Sequence, residues 1–212
     1  MDNRLFFPAT LRNRESIGEV LSKTLVTKGS ILEIGSGSGE HGVEFQKCFP
    51  EITWQSSDPE IIHRNSISSW IDHEELNFKM PQPLDIDVEK IPWEIPSELL
   101  LSIQGIISIN MIHIASWNCT VSLFNESGKL LKNGQFLMLY GPFKIGNKNI
   151  SQSNELFNST LKMQNKSWGV RDLVEVSEEA TKNGFIKEKL FSMPANNFSI
   201  IYRKVSLEKR SK

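Results

Sequence analysis

The feature that most constrains the fold is a glycine-rich run, Gly35-Ser36-Gly37-Ser38-Gly39. The apolar stretch 30–34 before it predicts a short strand. Apolar residues at helical spacing after it predict a helix that ends near Pro50. Glycines allow positive φ angles and a close approach of a ligand to the backbone, and the following helix offers free N–H groups. This order predicts a ligand-binding turn at the carboxyl end of a sheet strand.

Strands and helices alternate along the rest of the chain. The further predicted strands are 52–57, 81–88, 105–109, 135–140, 186–191 and 198–203, and the further predicted helices are 9–27, 65–76, 117–131 and 170–183. No internal repeat or linker divides the sequence, so we expect one α/β domain over residues 1–212, closed by a C-terminal antiparallel hairpin. The first helix is expected to cover the ligand site. The stretch 141–169 contains no predicted element.

The charge balance does not indicate a nucleic-acid partner. The chain carries 24 Lys+Arg and 25 Asp+Glu among 212 residues, a formal net charge of −1. This balance gives no reason to expect a polyanion, so no nucleic-acid partner is indicated. Hydrophobic residues make up 39% of the chain, which is enough for a packed core and excludes an intrinsically disordered protein.

The cysteine content and the N-terminus bear on the compartment. Cys48 and Cys119 are too few for a disulfide framework and have no CxxC partner, and the histidines are not at metal-ligand spacing. The first residues lack the apolar stretch of a secretory signal, so a cytoplasmic protein without a bound metal is expected. Residues 99–125 contain no charged side chain, but amides and hydroxyls interrupt them. We therefore expect a buried strand and a helix there, not a membrane span.

The residues around the glycine run bear on the charge of the ligand. Residues 37–42 satisfy the GxGxxG pattern of dinucleotide binding, which keeps an NAD(P)-dependent oxidoreductase as an alternative. However, the predicted strand ends at Ile34, so the pattern is out of register. Instead, Glu33 precedes Gly35, Gly37 and Gly39. A carboxylate there can accept a bond from a ligand ammonium or order the loop, whereas it would repel a pyrophosphate.

S-adenosylmethionine has the required chemistry, because it carries a sulfonium, an ammonium and an adenosine but no phosphate. Asp58, at the end of the second predicted strand, is placed to accept both ribose hydroxyls. A dinucleotide would use this acid equally well. Asp87, at the end of the third predicted strand, is a candidate acceptor for the adenine amine, and a solvated turn carboxylate is the alternative.

The sequence resembles the class I S-adenosylmethionine-dependent methyltransferases, and more closely the DUF938 or methyltransferase-like 26 family. The matching motifs run nearly end to end. They are Arg12-Asn13-Arg14, Leu32-Glu33-Ile34-Gly35-Ser36-Gly37-Ser38-Gly39-Glu40-His41, Trp54-Gln55-Ser56-Ser57-Asp58-Pro59, Asn110-Met111-Ile112-His113-Ile114-Ala115-Ser116-Trp117, Tyr140-Gly141-Pro142-Phe143, Ser153-Asn154, Trp168-Gly169-Val170-Arg171-Asp172 and Met193-Pro194-Ala195-Asn196-Asn197. The resemblance implies a Rossmann-like, seven-stranded, mostly parallel sheet with helices on both faces, and S-adenosylmethionine as the cofactor.

Methyl transfer from a sulfonium needs few catalytic groups, because it is an in-line displacement in which charge is neutralised. Asn110 and His113 follow the fourth predicted strand, and His113 is the best candidate base. A structural histidine bonded within its loop is the alternative. His41 starts the helix after the glycine run, where the helix dipole disfavours protonation, so we expect it to pack against the cofactor.

Two sets of residues are candidates for the acceptor site. Tyr140, Phe143 and Trp168 are candidate acceptor contacts, with core packing as the alternative. A polar set is hypothesised to bind a small polar or anionic acceptor and the cofactor carboxylate. Its members are Arg12, Asn13, Asn154, Arg171 and Asp172, and an ordinary pair at the start of a helix is the alternative for the last two.

Taken together, the sequence predicts a methyltransferase that acts on a small-molecule acceptor. Besides the oxidoreductase, a catalytically silent methyltransferase fold that serves as a partner module remains as an alternative.

Overall fold

The computed structural model describes residues 2–25 and 28–206. The chain divides into two compact units, Met1–Ile109 and Asn110–Lys212. The division falls at the end of a buried strand, directly before Asn110, a non-glycine residue with a φ of 61°. The single domain expected over residues 1–212 stays a prediction.

The first unit is an α/β unit built around three strands. Its elements are α1 (Pro8–Ser22), β1 (Gly29–Ile34), α2 (Glu40–Cys48), β2 (Ile52–Ser57), α3 (Ile61–His73), α4 (Ser97–Ser102) and β3 (Ile103–Ile109). The strands lie in the order β2-β1-β3 and are parallel, with Leu32 opposite Gln55 on one side and Ile106 on the other. Because the strands run parallel, the turns that follow β1 and β2 lie at the same edge of the sheet.

The core of this unit explains why the strands are apolar throughout. Ile31 and Leu32 on β1 are fully buried, as are Ile106 and Ile107 on β3, so both faces of these strands are covered. Trp54 of β2 packs against Phe45 of α2, with ring centroids 5.1 Å apart.

Two expectations for the first unit need correction. The predicted strand 81–88 is wrong: Leu84 forms a single bridge with Ser57, and no strand is present there. Pro81 and Pro83 have no backbone N–H, so this segment cannot supply a full ladder of donors. The first helix ends at Ser22, and residues 26–27 of its predicted range lie outside the described residues.

The second unit is dominated by antiparallel pairing. Its elements are a 3₁₀ turn (Met111–His113), α5 (Trp117–Leu130), β4 (Phe136–Gly141), β5 (Phe143–Ile145), β6 (Lys148–Asn149), α6 (Gln152–Gln164), β7 (Arg171–Asp172), α7 (Leu173–Lys182), β8 (Phe185–Met193) and β9 (Asn197–Lys204). Strands β4, β9 and β8 lie side by side in that order, antiparallel, with Leu139 opposite Ile200. A second small sheet has the order β6-β5-β7.

The mixed α/β class is confirmed, whereas the seven-stranded, mostly parallel sheet is not. The described strands comprise three parallel ones in the first unit, three antiparallel ones in the second, and the small three-stranded sheet. The predicted C-terminal hairpin is present as β8 and β9. The stretch 141–169, which carried no predicted element, contains β5, β6 and α6.

The uncharged stretch 99–125 contains part of α4, all of β3 and part of α5, as the buried strand and helix expected there. Among the residues that the structure describes, none of the helices is both long and apolar enough to cross a membrane.

Candidate functional site

The glycine run forms a tight turn between β1 and α2. Gly35, Gly37 and Gly39 have φ angles of 71°, 58° and 90°. Residues with a Cβ rarely adopt this backbone conformation. A Cβ on Gly39 would also lie 2.8 Å from the Cα of Ile67 on α3. The third glycine is therefore required by helix packing as well as by backbone conformation.

Glu33 stabilises this loop through hydrogen bonds that its carboxylate accepts. Its Oε2 accepts hydrogen bonds from Trp54 Nε1 at 3.0 Å, Ser36 Oγ at 2.9 Å and Ser56 Oγ at 3.4 Å. The side chain is buried, and burial raises the pKa of Glu33 to about 7 despite these three donors. Of the two roles left open for Glu33 by the sequence, the geometry favours ordering the loop.

Asp58 joins the end of β2 to the glycine loop. Its Oδ2 accepts from the Gly37 N–H at 2.9 Å, and its Oδ1 accepts from the Glu60 N–H at 3.0 Å and from His63 Nδ1 at 2.9 Å. The residue is 4% exposed. A carboxylate offers about four acceptor positions, so the three observed donors leave room for a further one.

His41 and Asn13 form a buried pair between α2 and α1. His41 Nε2 lies 2.8 Å from Asn13 Oδ1, and the ring stacks on Phe45 at 5.7 Å. Burial, with a smaller contribution from Arg14, lowers the pKa of His41 to about 4, so the ring is neutral at pH 7. The ring therefore donates its Nε2–H to the Asn13 amide oxygen. Any contact of this pair with a cofactor stays a prediction.

The remaining candidates of the first unit lie at its surface. Asp87 is half-buried in a turn, where it accepts from the Glu89 N–H at 3.1 Å and pairs with Lys90 at 3.3 Å. This environment fits the turn carboxylate that the sequence left as the alternative, and binding of the adenine amine by Asp87 stays a prediction. Arg12 is exposed on α1.

In the second unit, Asn110 begins a constrained turn. Its φ is 61°, and its N–H donates to the Tyr140 carbonyl at 2.8 Å. Gly141, which comes after Tyr140 at the end of β4, has a φ of 156°. A Cβ on Gly141 would overlap His113 Nε2 and lie 3.2 Å from Asn110 Oδ1. The turn and the end of β4 thus approach each other closely enough to require a glycine.

His113 is fully buried beside this glycine. Its Nδ1 accepts from the Arg171 N–H at 3.4 Å, and its Nε2 has no hydrogen-bond partner among the described residues. Burial, followed by the charge of Arg171, lowers the pKa of His113 to about 3. The edge of its ring meets Phe143 at 4.9 Å. This environment is that of a structural histidine, and a catalytic role stays a prediction.

Arg171, on β7, stabilises the same turn through hydrogen bonds to backbone carbonyls. Its Nε donates to the Ile112 carbonyl at 2.9 Å, and its Nη2 donates to the carbonyls of Ala115 and, at 3.0 Å, Ser167. Gly169 adds a bond from its N–H to the His113 carbonyl at 2.9 Å. Arg171 therefore has a positioning role that the sequence did not indicate, and acceptor binding by this side chain stays a prediction.

The other candidate acceptor residues have different surroundings. Tyr140 and Phe143 are buried in the core of the second unit. Asn154, on α6, donates from Nδ2 to the Asn196 carbonyl at 3.0 Å. Trp168 is half-buried and lines a cavity of about 240 Å³ together with Arg171.

Several contacts at the glycine loop were missed by the sequence analysis. Phe7 lies on Gly37, Glu40 bonds to the N-terminal segment, and His63 bonds to Asp58. No local pattern predicts these long-range contacts. The buried indole N–H of Trp54 was the one usable signal, because such a group requires an acceptor.

Over most of its length, the chain has a fold similar to that of known methyltransferases. It is similar to an O-methyltransferase family protein from Burkholderia thailandensis, with a TM-score of 0.77 and 13% sequence identity over 94% of this chain and 58% of that chain. It is also similar to human N-acetylserotonin methyltransferase, solved in complex with SAM, with a TM-score of 0.67 and 15% identity over 92% of this chain and 56% of that one. The chain thus spans little more than half the length of these two proteins.

A third structure has nearly the same length as this chain. It is a candidate sarcosine dimethylglycine methyltransferase from Galdieria sulphuraria, with a TM-score of 0.73 and 14% identity over 96% of this chain and 92% of that one. At these identities the likeness shows the fold alone. The sequence itself matches the family described as "Protein of unknown function (DUF938)" over residues 4–204, which is nearly its whole length. The chain therefore belongs to the DUF938 family.

Proposed function

We propose that this protein is an S-adenosylmethionine-dependent methyltransferase of the methyltransferase-like 26 branch, acting on a small-molecule acceptor. The observation that carries the proposal is the connection between the glycine turn and Asp58, through the bond from the Gly37 N–H to Asp58 Oδ2. It places a buried carboxylate with unused acceptor capacity beside three glycines of positive φ. The methyltransferase fold of the structural neighbours supports the same conclusion.

The charges around the glycine turn fit this cofactor better than a dinucleotide. Glu40 and Asp58 are both buried there, and such carboxylates repel a pyrophosphate. A sulfonium compound has no phosphate and presents ribose hydroxyls, one of which Asp58 would accept at its remaining acceptor position. The NAD(P)-dependent oxidoreductase is therefore not favoured.

The bound cofactor would supply an electrophilic methyl group for in-line transfer to a nucleophilic atom of the acceptor. The contribution of the chain is then mainly binding and positioning. Asp58 would hold the ribose, Glu33 keeps the loop in place, and His41 stays neutral beside Asn13.

The burial of His113 and its lowered pKa favour a structural role over that of a general base. A group with a pKa of about 3 holds almost no proton at pH 7 and has little affinity for one, and the ring is fully buried. We therefore propose that Asn110 and His113 shape the turn that follows β3 and that the acceptor is a nucleophile that needs no strong base.

A polar or anionic acceptor is supported by one cavity of the second unit. The cavity of about 240 Å³ beside Trp168 is also lined by Lys144, Lys162 and Lys166. Its acidic residues are Asp172 and Glu175, against four cations when Arg171 is included. Asp172 is occupied at the start of α7, where it accepts from the Val174 N–H at 2.8 Å. The excess of cations favours an acceptor with a carboxylate or phosphate group.

Calorimetry with S-adenosylhomocysteine, S-adenosylmethionine and NAD(P) tests the proposal. We expect the first two to bind and the third not to. Asp58→Ala should weaken binding by about 1–3 kcal/mol, because it leaves a ligand hydroxyl unpaired. Asp72→Ala, at an exposed position of α3, should not change it. Tight NAD(P) binding without a response to S-adenosylhomocysteine would overturn the proposal. Cofactor binding without transfer across a broad acceptor screen would favour the silent partner module.

A further inference from the structure

The segment before α1 is held against the first unit by a series of hydrogen bonds. We call residues 3–7 the N-terminal strap. The Leu5 N–H donates to Ser66 Oγ at 2.8 Å, and Trp70 Nε1 donates to the Leu5 carbonyl at 3.1 Å. The Phe7 N–H donates to Glu40 Oε2 at 2.7 Å. These bonds hold an irregular segment in one position across α3 and the start of α2.

The strap ends with an aromatic ring on the glycine turn. A Cβ on Gly37 would lie 3.0 Å from Cε2 of Phe7. The same ring meets the edge of His63 at a centroid distance of 5.9 Å and an angle of 85°, and His63 is hydrogen-bonded to Asp58. Phe7 therefore borders the position where Asp58 would hold a ribose.

The ring is not part of the core. Phe7 is 39% exposed, and its neighbour Phe6 is 64% exposed, although both are large apolar side chains. Packing against the unit alone does not account for a phenylalanine that is open to solvent on one side and rests on a glycine on the other. A ligand lying beside Gly37 and Asp58 would cover the open side.

Glu40 connects the strap to the loop. Its carboxylate is buried, and one oxygen, Oε2, accepts both the Phe7 N–H and the hydroxyl of Ser38 at 2.8 Å. The strap and the glycine turn share this acceptor, so the position of the Phe7 ring depends on the position of the loop.

We infer that Phe7 is a ligand-contacting residue whose ring closes the nucleoside side of the cofactor site, and that Glu40 is the residue that positions it. This inference rests on the proposed function and names a contact that the glycine motif does not contain. The ligand class is a nucleoside whose ribose reaches Asp58 and whose apolar face lies against the Phe7 ring. Burial of the open side of that ring would add to the affinity.

The test compares S-adenosylhomocysteine binding by calorimetry in the wild type and three variants. Phe7→Ala should raise the Kd about tenfold, and Phe7→Leu should raise it less. Phe6→Ala is the matched control, because its ring packs on Trp70 at 5.1 Å and not on the glycine turn. We expect it to change the Kd less than twofold.

The positioning role of Glu40 is tested by a pair of variants. Glu40→Ala removes the acceptor for both Ser38 and Phe7 and should weaken binding several-fold. Glu40→Gln keeps an acceptor oxygen at the same place and should restore most of the affinity. Circular dichroism establishes that each variant is folded, and in the Glu40→Ala background Phe7→Ala should then have little additional effect on the Kd. A full tenfold effect in that background would overturn the role of Glu40.

The outcomes separate the inference from the proposed function. A wild type that binds neither S-adenosylhomocysteine nor S-adenosylmethionine would refute the proposed function, and the inference with it. A wild type that binds, together with an unchanged Kd in Phe7→Ala, would refute the inference alone. Tighter binding by Phe7→Ala would also refute it, because the ring would then occupy the place of the ligand.

Discussion

The glycine turn of the first unit and the Asn110 turn of the second both contain a fully buried ionisable side chain, and burial acts on the two in opposite directions. It raises the pKa of Glu33 to about 7 and lowers the pKa of His113 to about 3. In each case the neutral form is favoured, because charge is costly to bury. The two groups differ in their partners. Glu33 Oε2 accepts three hydrogen bonds, whereas His113 Nε2 has none among the described residues.

This difference indicates two ways of building a turn next to a strand end. The glycine turn is ordered by donors that converge on Glu33 and Asp58. The Asn110 turn is ordered from outside, by the guanidinium of Arg171 on its backbone carbonyls. Both turns also depend on one glycine whose Cβ would have no room.

The largest expected effect comes from these two glycines. Gly39→Ala and Gly141→Ala should each lower the free energy of unfolding by about 3–4 kcal/mol, because overpacking is added to a strained φ. Gly134→Ala is the matched control, since Gly134 has a φ of 86° but nothing within 4 Å of its Cβ position. Its cost should be about 1–2 kcal/mol. Urea denaturation measures all three, and equal costs would show that close packing plays no part in either turn.

The second prediction concerns acid sensitivity of the Asn110 turn. The folded-state pKa of His113 lies below its ordinary value of 6.5, so the unfolded chain takes up a proton first as the pH falls. His113 therefore favours folding fully only above about pH 6.5, and that contribution decreases toward pH 3. By pH 4 the loss should reach about 3 kcal/mol.

Denaturation of His113→Asn between pH 4 and 7 checks this expectation. The variant should lose stability at every pH from its smaller side chain, but its stability should fall less steeply in acid than that of the wild type. His73→Asn, at an exposed position, should keep the wild-type slope. A His113→Asn slope equal to the wild-type slope would mean that folding does not lower the pKa of His113.

The third prediction is the reverse pH effect in the glycine turn. The folded-state pKa of Glu33 lies above its ordinary value of 4.5, so the folded protein retains a proton that the unfolded chain releases between pH 4.5 and 7. The contribution of Glu33 to stability is therefore greatest below pH 4.5 and falls as the pH rises through 7. The total change should be about 3 kcal/mol.

Glu33→Gln isolates this effect, since the amide keeps an acceptor oxygen but does not titrate. Relative to the wild type, the variant should become more stable as the pH rises from 5 to 8. Glu15→Gln, on the exposed face of α1, should follow the wild type. A stability difference that does not change with pH would contradict the raised pKa of Glu33.

The smallest expected effect concerns Arg171 and distinguishes its structural role, the hydrogen bonds to backbone carbonyls, from contact with the acceptor. Arg171→Ala should lower the free energy of unfolding by about 2 kcal/mol, because three bonds to backbone carbonyls are lost. Arg12→Ala, at an exposed position, should have almost no effect on stability. If Arg171→Ala abolished methyl transfer while stability and cofactor affinity stayed at wild-type values, the role of Arg171 would be acceptor binding and not stabilisation of the turn.

The elements that were predicted well are those with strong local patterns. Strand β2 begins and ends at the predicted residues, and α5 differs from its predicted range by one residue. The failures lie where the local pattern is weak or ambiguous. Residues 81–88 were predicted as a strand, but they contain two prolines, and their pairing is limited to the single bridge between Leu84 and Ser57. Residues 141–169 are rich in polar side chains and still form α6, because Ser151 caps its N-terminus.

The candidate site shows the same division. The glycine turn and Asp58 were predicted as neighbours, since the carboxyl ends of parallel strands meet at one edge, and Gly37 bonds directly to Asp58. The role of Arg171 was not predictable, because an arginine that donates to carbonyls and one that binds an anion look the same in a sequence.

The sequence by itself determined the α/β class, the position of the glycine turn and the order of most elements, because hydrophobic period and glycine content act over a few residues. Only the tertiary structure decided how the polar side chains of the turns are used. It directed the donors of Ser36, Trp54 and Ser56 to Glu33, buried His113, and laid Phe7 on Gly37. Burial and long-range hydrogen bonds depend on residues far apart in the chain, and no local pattern records them.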